Sequence, residues 1–307
     1  MVLGIDIGGT NTEFAVVDST KGIVHTEKIK TKRHKSFLNY IENLTETVKS
    51  LTKNFKISSI GIGAPNFDSA SNTFCPVNFP WSDVSPFNLE KYLENEVNIS
   101  SSVVNDANAV ALAENRYGIG RDVNSFIIIT IGTGLGAGIV INNKLFDGTY
   151  GYAGEFGHTK IDNNDRVCNC GGIGCLETVV SANGIKRTIA KKLKLNSAEE
   201  APDIKIVFEK AKKGDIVCKE TLEFTFKVLG KKVSDLIHIL TPEAIVFCGN
   251  ISKSLDTYMP LMKRECEQNL LSNMRGKTNY IVSNLLDKKM NLLGPASLAF
   301  NKKLDFA

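Results

Sequence analysis

A chain of 307 residues is too long for one small domain and suits two domains or one large α/β domain. Apolar residues make up 42% of it and charged residues 23%, an ordinary balance for a globular protein with a sizeable core, which excludes a disordered chain. The net charge of +4 comes from scattered lysines rather than a basic block, so no nucleic-acid partner is expected.

The chain begins VLGIDIGG, which lacks the basic start and long apolar core of a signal peptide, and no run reaches transmembrane length. A cytoplasmic protein with no membrane attachment is therefore expected. The runs VLGIDIG, TEFAVVD and GIVHTEKIKT are bounded by turn residues and predict three strands of an antiparallel meander. From Ser36 to about Lys53, Phe37, Leu38, Ile41, Leu44, Val48 and Leu51 recur at helical spacing, with Ser36 as N-cap. A strand, SSIGIGAP, follows. After a segment rich in Pro and Asn, SSVVNDANAVALAENRYG reads as a strand running into a helix that stops near Gly118.

The opening pattern then returns, because NSFIIITIGTGLGAGIVINNKLFDG is again strand, glycine turn, strand and turn. Helices are predicted around 181–195, 203–213 and 217–239, then the strand EAIVFCGN, a helix, the strand NYIVSN and a last helix over 292–302. The order β-β-β-α-β-α, used twice, predicts mixed sheets flanked by helices in two lobes, 1–118 and 119–291.

Several motifs within this frame carry chemistry. In DIGGTNT, Gly8 and Gly9 make a tight turn followed by Thr10, Asn11 and Thr12. Such a turn either aims backbone N–H groups at phosphate oxygens or is an ordinary hairpin. Asp6, at the end of an apolar strand, suits a Mg²⁺ held through water, since that ion takes hard oxygen ligands and keeps part of its hydration. The second turn, with Gly132, Thr133 and Gly134, contains GTGLGA and so formally satisfies the dinucleotide fingerprint. That fingerprint needs a helix next, whereas the β-branched GIVINN predicts a strand, so a second phosphate-gripping hairpin fits better. The two turns would face each other across a cleft and hold one polyphosphate. Asn105 and Asp106 stand where a strand becomes a helix, and Asp106 either caps that helix or carries catalysis.

Seven cysteines, an odd number, argue for reduced thiols or a metal site instead of a disulfide framework. His158, Cys168, Cys170 and Cys175 offer four ligands of the number and type that a structural zinc takes. Four protein ligands leave no open position for activating water. Glu155 and Glu177 flank this loop. Together with the imidazole and Asn105 or Asp106 they could hydrogen-bond several hydroxyls of a sugar, although Glu177 alone would also suit a solvent-facing helix start.

With DIGGTNT, GIGAP, NDAN, TIGTGLGAG, GEFGHTKID and CNCGGIGCLE in this order, nearly the whole chain resembles the sugar kinases of the ROK family. The resemblance implies an actin-like ATPase fold of two domains, the small lobe being completed by the C-terminal helix over 292–307, with ATP and sugar meeting between the lobes. It implies Asp106 as catalytic base, sugar contacts from Asn105, Glu155, His158 and Glu177, and zinc held by His158, Cys168, Cys170 and Cys175. The glycine turns would hold the phosphates, and Phe247–Asn250, with Gly249, resembles the adenosine segment. NFPW at 78–81 resembles a segment lining the sugar site, which brings in Asn78. Three positions depart from the family pattern: Asn66 replaces a glycine next to the sugar, Cys248 replaces one glycine of a pair, and Glu13 stands where many relatives carry a basic residue. The expectation is an ATP-dependent hexose kinase acting on the 6-hydroxyl of glucose, with Mg²⁺ and structural zinc, as a homodimer. The alternatives are a kinase for N-acetylmannosamine, N-acetylglucosamine or fructose, or a sugar-binding regulator without catalysis. The repressor branch carries an N-terminal DNA-binding extension, whereas here the phosphate motif begins at residue 4, which disfavours a repressor.

Overall fold

The computed structural model describes residues 1–75, 79, 81, 85–285 and 289–300, except for the side chain of Arg33. Its opening strands are β1 (Val2–Ile7), β2 (Thr12–Asp18) and β3 (Gly22–Ile29), followed by α1 (Phe37–Asn54) and β4 (Ile60–Gly63). A two-residue-stranded hairpin, β5 (Phe67–Asp68) and β6 (Thr73–Phe74), precedes α2 (Leu89–Val97), β7 (Ser101–Val104) and α3 (Asp106–Tyr117). Next come β8 (Phe126–Ile131), β9 (Leu135–Ile141) and β10 (Lys144–Phe146), then α4 (Glu177–Val180), α5 (Ala182–Leu193), α6 (Ile204–Lys212) and α7 (Ile216–Leu240). The chain continues through β11 (Ala244–Cys248), α8 (Met259–Asn269), β12 (Asn279–Val282) and α9 (Met290–Phe300). The predicted elements are present, and GIVINN is the strand β9 rather than a Rossmann helix.

Two compact units result, one of residues 1–124, 138–153 and 284–307, the other of 125–137 and 154–283. The first unit therefore also takes in the segment 138–153. One five-stranded sheet has the order β3-β2-β1-β4-β7, with β1 and β2 antiparallel and β1, β4 and β7 parallel. The other has the order β10-β9-β8-β11-β12, in which β11 runs parallel to both neighbours.

Strand β1 is apolar on both faces because both faces of its sheet are covered. Leu3, Ile5 and Ile7 join Tyr40, Ile41, Leu44 and Val48 of α1 on one side. On the other, Val2, Ala15 and Val17 meet Leu292, Ala296 and Ala299 of α9. Close approach of α9 requires glycine beneath it: a Cβ on Gly4 would stand 2.7 Å from Leu292 O, and one on Gly61 would overlap Pro295 O. Helix α1 begins as its sequence predicts, with Ser36 Oγ accepting from the Asn39 N–H at 3.2 Å. None of the seven cysteines forms a disulfide among the described residues. No helix among the described residues is long and apolar enough to cross a membrane.

Candidate active site and metal centre

In the first unit, the turn from β1 to β2 closes through Gly8, whose N–H donates to Asn11 O at 3.0 Å. The N–H groups of Gly9 and Thr10 find no acceptor among the described residues, and a Cβ built on Gly9 meets nothing within 4 Å. Thr10 is exposed and Asn11 half-buried. Thr12 does not join them. Its side chain is buried, and its hydroxyl lies 2.7 Å from Tyr40 Oη and 2.9 Å from Thr31 Oγ1, a closed network that leaves nothing for a phosphate. The cause is strand alternation, which turns Thr12 and Phe14 into the sheet interior while Glu13 faces the other way.

Asp6 lies on the same sheet end. Desolvation, with the negative charges of Asp106 and Glu13, pushes its carboxyl up to about 6, against a hydrogen bond from Asn291 that favours the ionised form. Glu13 pairs with Lys28 at 3.1 Å. The cap of α3 is Asn105, not Asp106: Asn105 Oδ1 accepts from the Asn108 N–H at 2.7 Å. Asp106 is thereby left as the first residue of the helix, part of the residue being exposed. Desolvation by the protein around it raises its pKa, opposed by the Ala107 N–H that donates to Oδ1 at 2.8 Å. Asn66 adopts φ +55°, a left-handed conformation that asparagine tolerates better than most residues, so the backbone that suits glycine is kept. Asn78 lies outside the described residues. Its neighbour Trp81 is buried, stacked on Tyr40 with ring centroids 4.9 Å apart, and donates from Nε1 to His34 O.

In the second unit, the turn from β8 to β9 is closed by Gly132 N–H donating to Gly134 O at 3.0 Å, while the N–H groups of Thr133 and Gly134 find no acceptor among the described residues. Its far side is gripped by Glu177, whose Oε2 accepts from Leu135 N–H at 2.9 Å. Glu177 Oε1 accepts from Cys168 Sγ at 3.8 Å, so this carboxylate joins the glycine turn to the cysteine loop instead of simply facing solvent.

The ligand atoms of His158, Cys168, Cys170 and Cys175 all lie within 4.8 Å of one another. Two sulfurs at the usual distance from a tetrahedral zinc stand about 3.8 Å apart. Cys170 Sγ and Cys175 Sγ are separated by 3.7 Å, and Cys168 Sγ is 3.8 Å from His158 Nδ1, so the spacing fits that ion. His158 Nε2 faces Glu155 Oε2 at 3.6 Å, the partner that fixes a ligating imidazole. Lys160 Nζ donates to Cys175 Sγ at 3.2 Å. Arg166 anchors the loop to the helices behind it, donating to Thr178 O at 2.6 Å, Gly184 O at 3.1 Å and Thr188 Oγ1 at 2.9 Å.

A cavity of about 430 Å³ opens beside this assembly, lined by Thr133, Gly134, Glu177, Asn183, Lys186 and Arg187 among others. The larger cavity, about 680 Å³, is elsewhere in the unit, lined by Asn250, Lys253, Phe208, Tyr258 and several lysines. Gly249, which opens the segment between β11 and that cavity, has φ +96°, and a Cβ there would stand 2.5 Å from Ile131 O. This is the indispensable glycine of the segment, and Cys248 before it is a buried strand residue. Asn291, Lys28, Arg166 and Arg187 were not legible from motifs, because each acts through a partner distant in sequence.

A family model described as the ROK family matches residues 2–302. A glucokinase of Halalkalibacterium halodurans is 32% identical over 300 residues, covering 92% of this chain and 90% of that protein. A xylose repressor of Caldicellulosiruptor bescii is 29% identical, over 99% of this chain and 79% of its own. Among solved structures, a ROK family glucokinase from Streptomyces griseus in complex with glucose and AMPPNP superposes with a TM-score of 0.77 at 28% identity, covering 98% of this chain and 99% of that one.

Proposed function

Since the chain belongs to the ROK family and has its actin-like ATPase fold, we propose that it is an ATP-dependent hexose kinase whose acceptor is the 6-hydroxyl of glucose. The observation that carries this reading is the pair of glycine hairpins, each with two backbone N–H groups that find no acceptor among the described residues. Neighbouring N–H groups left open on a glycine turn suit an anion, and phosphoryl transfer depends mainly on positioning and charge stabilisation. The name of one relative, a glucokinase, and the glucose and AMPPNP bound in the Streptomyces griseus structure support the choice of sugar and donor.

In this reading Asp106 is the general base. It accepts the proton of the 6-hydroxyl as that oxygen forms a bond to the γ-phosphorus and the bond to the departing ADP breaks. Desolvation raises its pKa and so makes it a stronger proton acceptor than a fully hydrated aspartate. Asn66, Asn105, Glu155, His158 and Glu177 are assigned to the sugar hydroxyls. Gly8, Gly9, Thr10 and Asn11 on one turn, and Gly132, Thr133 and Gly134 on the other, hold the donor phosphates through backbone and side-chain donors. Adenosine goes to the segment around Gly249, where Asn250 opens the larger cavity.

The carboxylates of Asp6 and Glu13, close together with Asp106 acting on Asp6, suit a hard cation, and Asp6 would hold Mg²⁺ through water. When bound, that ion screens the negative charge of the phosphates. Zinc on its four protein ligands would fix the loop that carries His158.

A coupled ADP-release assay with Mg-ATP tests the proposal against glucose, mannose, fructose, N-acetylglucosamine and N-acetylmannosamine, before and after zinc removal. Turnover with glucose, weakened when zinc is stripped, is the expected result. Turnover confined to an N-acetylhexosamine would overturn the glucose assignment, and silence with all five sugars would overturn the kinase.

A further inference from the structure

Strands β1, β2 and β3 bring three ionisable side chains into one row. Asp6 lies directly opposite Glu13 in the β1–β2 register, and Glu13 lies opposite Lys28 in the β2–β3 register. Lys28 Nζ engages Glu13 Oε1 at 3.1 Å, on the side away from the contact with Asn291 at Oε2. Like charges facing each other across a ladder repel, and the charge of Asp106 also acts on Asp6. Lys289, near the start of α9, adds an attractive charge toward Glu13.

A neutral group stands between the two carboxylates. The side-chain amide of Asn291 donates to Asp6 Oδ2 at 2.8 Å and to Glu13 Oε2 at 3.2 Å. A primary amide has two N–H donors, so one meets each carboxylate. Its position is fixed by the next residue, because the backbone of Leu292 lies close over Gly4 of β1. The C-terminal helix thus delivers a polar group to the row from 278 residues beyond Glu13.

On the footing of the kinase reading above, we propose that Asn291 is a positioning residue for the phosphoryl-donor end of the site: its amide bridges Asp6 and Glu13, keeps the two carboxylates from repelling one another out of place, and leaves the second oxygen of Asp6 for the hydrated cation of the donor. Glu13 becomes tolerable beside Asp6 through this bridge.

A double-mutant cycle tests it. Asn291→Leu keeps the side-chain shape and removes both donors, and Glu13→Gln removes the like charge that the amide separates. Both single variants and the double variant are compared with the unaltered protein, first by urea unfolding without ligand. They are then compared by initial rates with Mg-ATP and with glucose, or whichever of the five sugars the unaltered protein uses. Asn291→Leu is expected to lower the unfolding midpoint and to lower kcat/KM for Mg-ATP by about tenfold or more, with the sugar KM unmoved. Adding Glu13→Gln is expected to restore most of both losses. Additive unfolding effects at the two positions would overturn the bridge, whatever the enzyme does. Coupled unfolding with unchanged Mg-ATP kinetics in Asn291→Leu would overturn its role toward the donor. If the unaltered protein phosphorylates none of the sugars, the kinase reading falls and the donor role with it, while the unfolding cycle still decides the bridge.

Discussion

Gly132→Ala separates a glycine kept for packing from one kept for a ligand. A Cβ at this position meets no atom within 4 Å, and the residue lies outside the left-handed region, so alanine fits the ligand-free turn. Replacing glycine by alanine where the backbone allows it stabilises a protein by about 0.4–1 kcal/mol, through the unfolded chain. The effect on catalysis has the opposite sign. If the open N–H groups of Thr133 and Gly134 hold a phosphate against this turn, a methyl group there pushes it away. Loss of one hydrogen bond to a charged group costs about 1.5–3 kcal/mol, which corresponds to a fall of roughly 10- to 150-fold in kcat/KM for Mg-ATP. Thermal unfolding without ligand and initial rates at saturating sugar measure the two effects separately. A variant with kcat/KM unchanged would refute the assignment of the turn to the donor. So would a fall in activity accompanied by lost stability, because the glycine would then serve packing.

Asp106→Asn should bind the sugar as the unaltered protein does in a calorimetric titration while losing roughly 10²–10⁴ in kcat; near-normal turnover would remove Asp106 as the base. Cys170→Ser, which alters an exposed ligand, should reduce bound zinc in a colorimetric metal assay and raise the sugar KM more than the Mg-ATP KM. Equal effects on both substrates would show that the loop does not specifically organise the sugar side. Gly61→Ala should lower the urea-unfolding free energy by about 1–3 kcal/mol or more, since its methyl overlaps the Pro295 carbonyl and lifts α9 from β4. An unchanged midpoint would contradict the tight seating of that helix.

Much of the fold was legible because its signals are local. The period of apolar residues and the hydroxyl of Ser36 place α1, and the β-branched run after Gly134 distinguishes a hairpin from a dinucleotide-binding turn. The cysteine cluster was legible for the same reason, since three of its four ligands lie within eight residues. At the start of α3 the local signal was ambiguous, because adjacent Asn105 and Asp106 both have capping chemistry. Only the backbone path assigned the cap to asparagine and made the aspartate the first residue of the helix.

The amino-acid sequence by itself determined the elements, the two-fold use of their order, the glycine turns and the grouping of three cysteines, all of which depend on hydrogen bonds and spacings within a few residues. Tertiary structure decided what those residues face. Strand register turned Thr12 into a buried network and set Asp6 opposite Glu13 and Glu13 opposite Lys28. Helix packing over Gly4 and Gly61 carried Asn291 to the same row, and Glu177 was drawn to the Leu135 N–H from 42 residues away. Such contacts join groups far apart in the chain, and no local pattern encodes them, because a side chain's partner depends on how sheets and helices stack rather than on its neighbours in sequence.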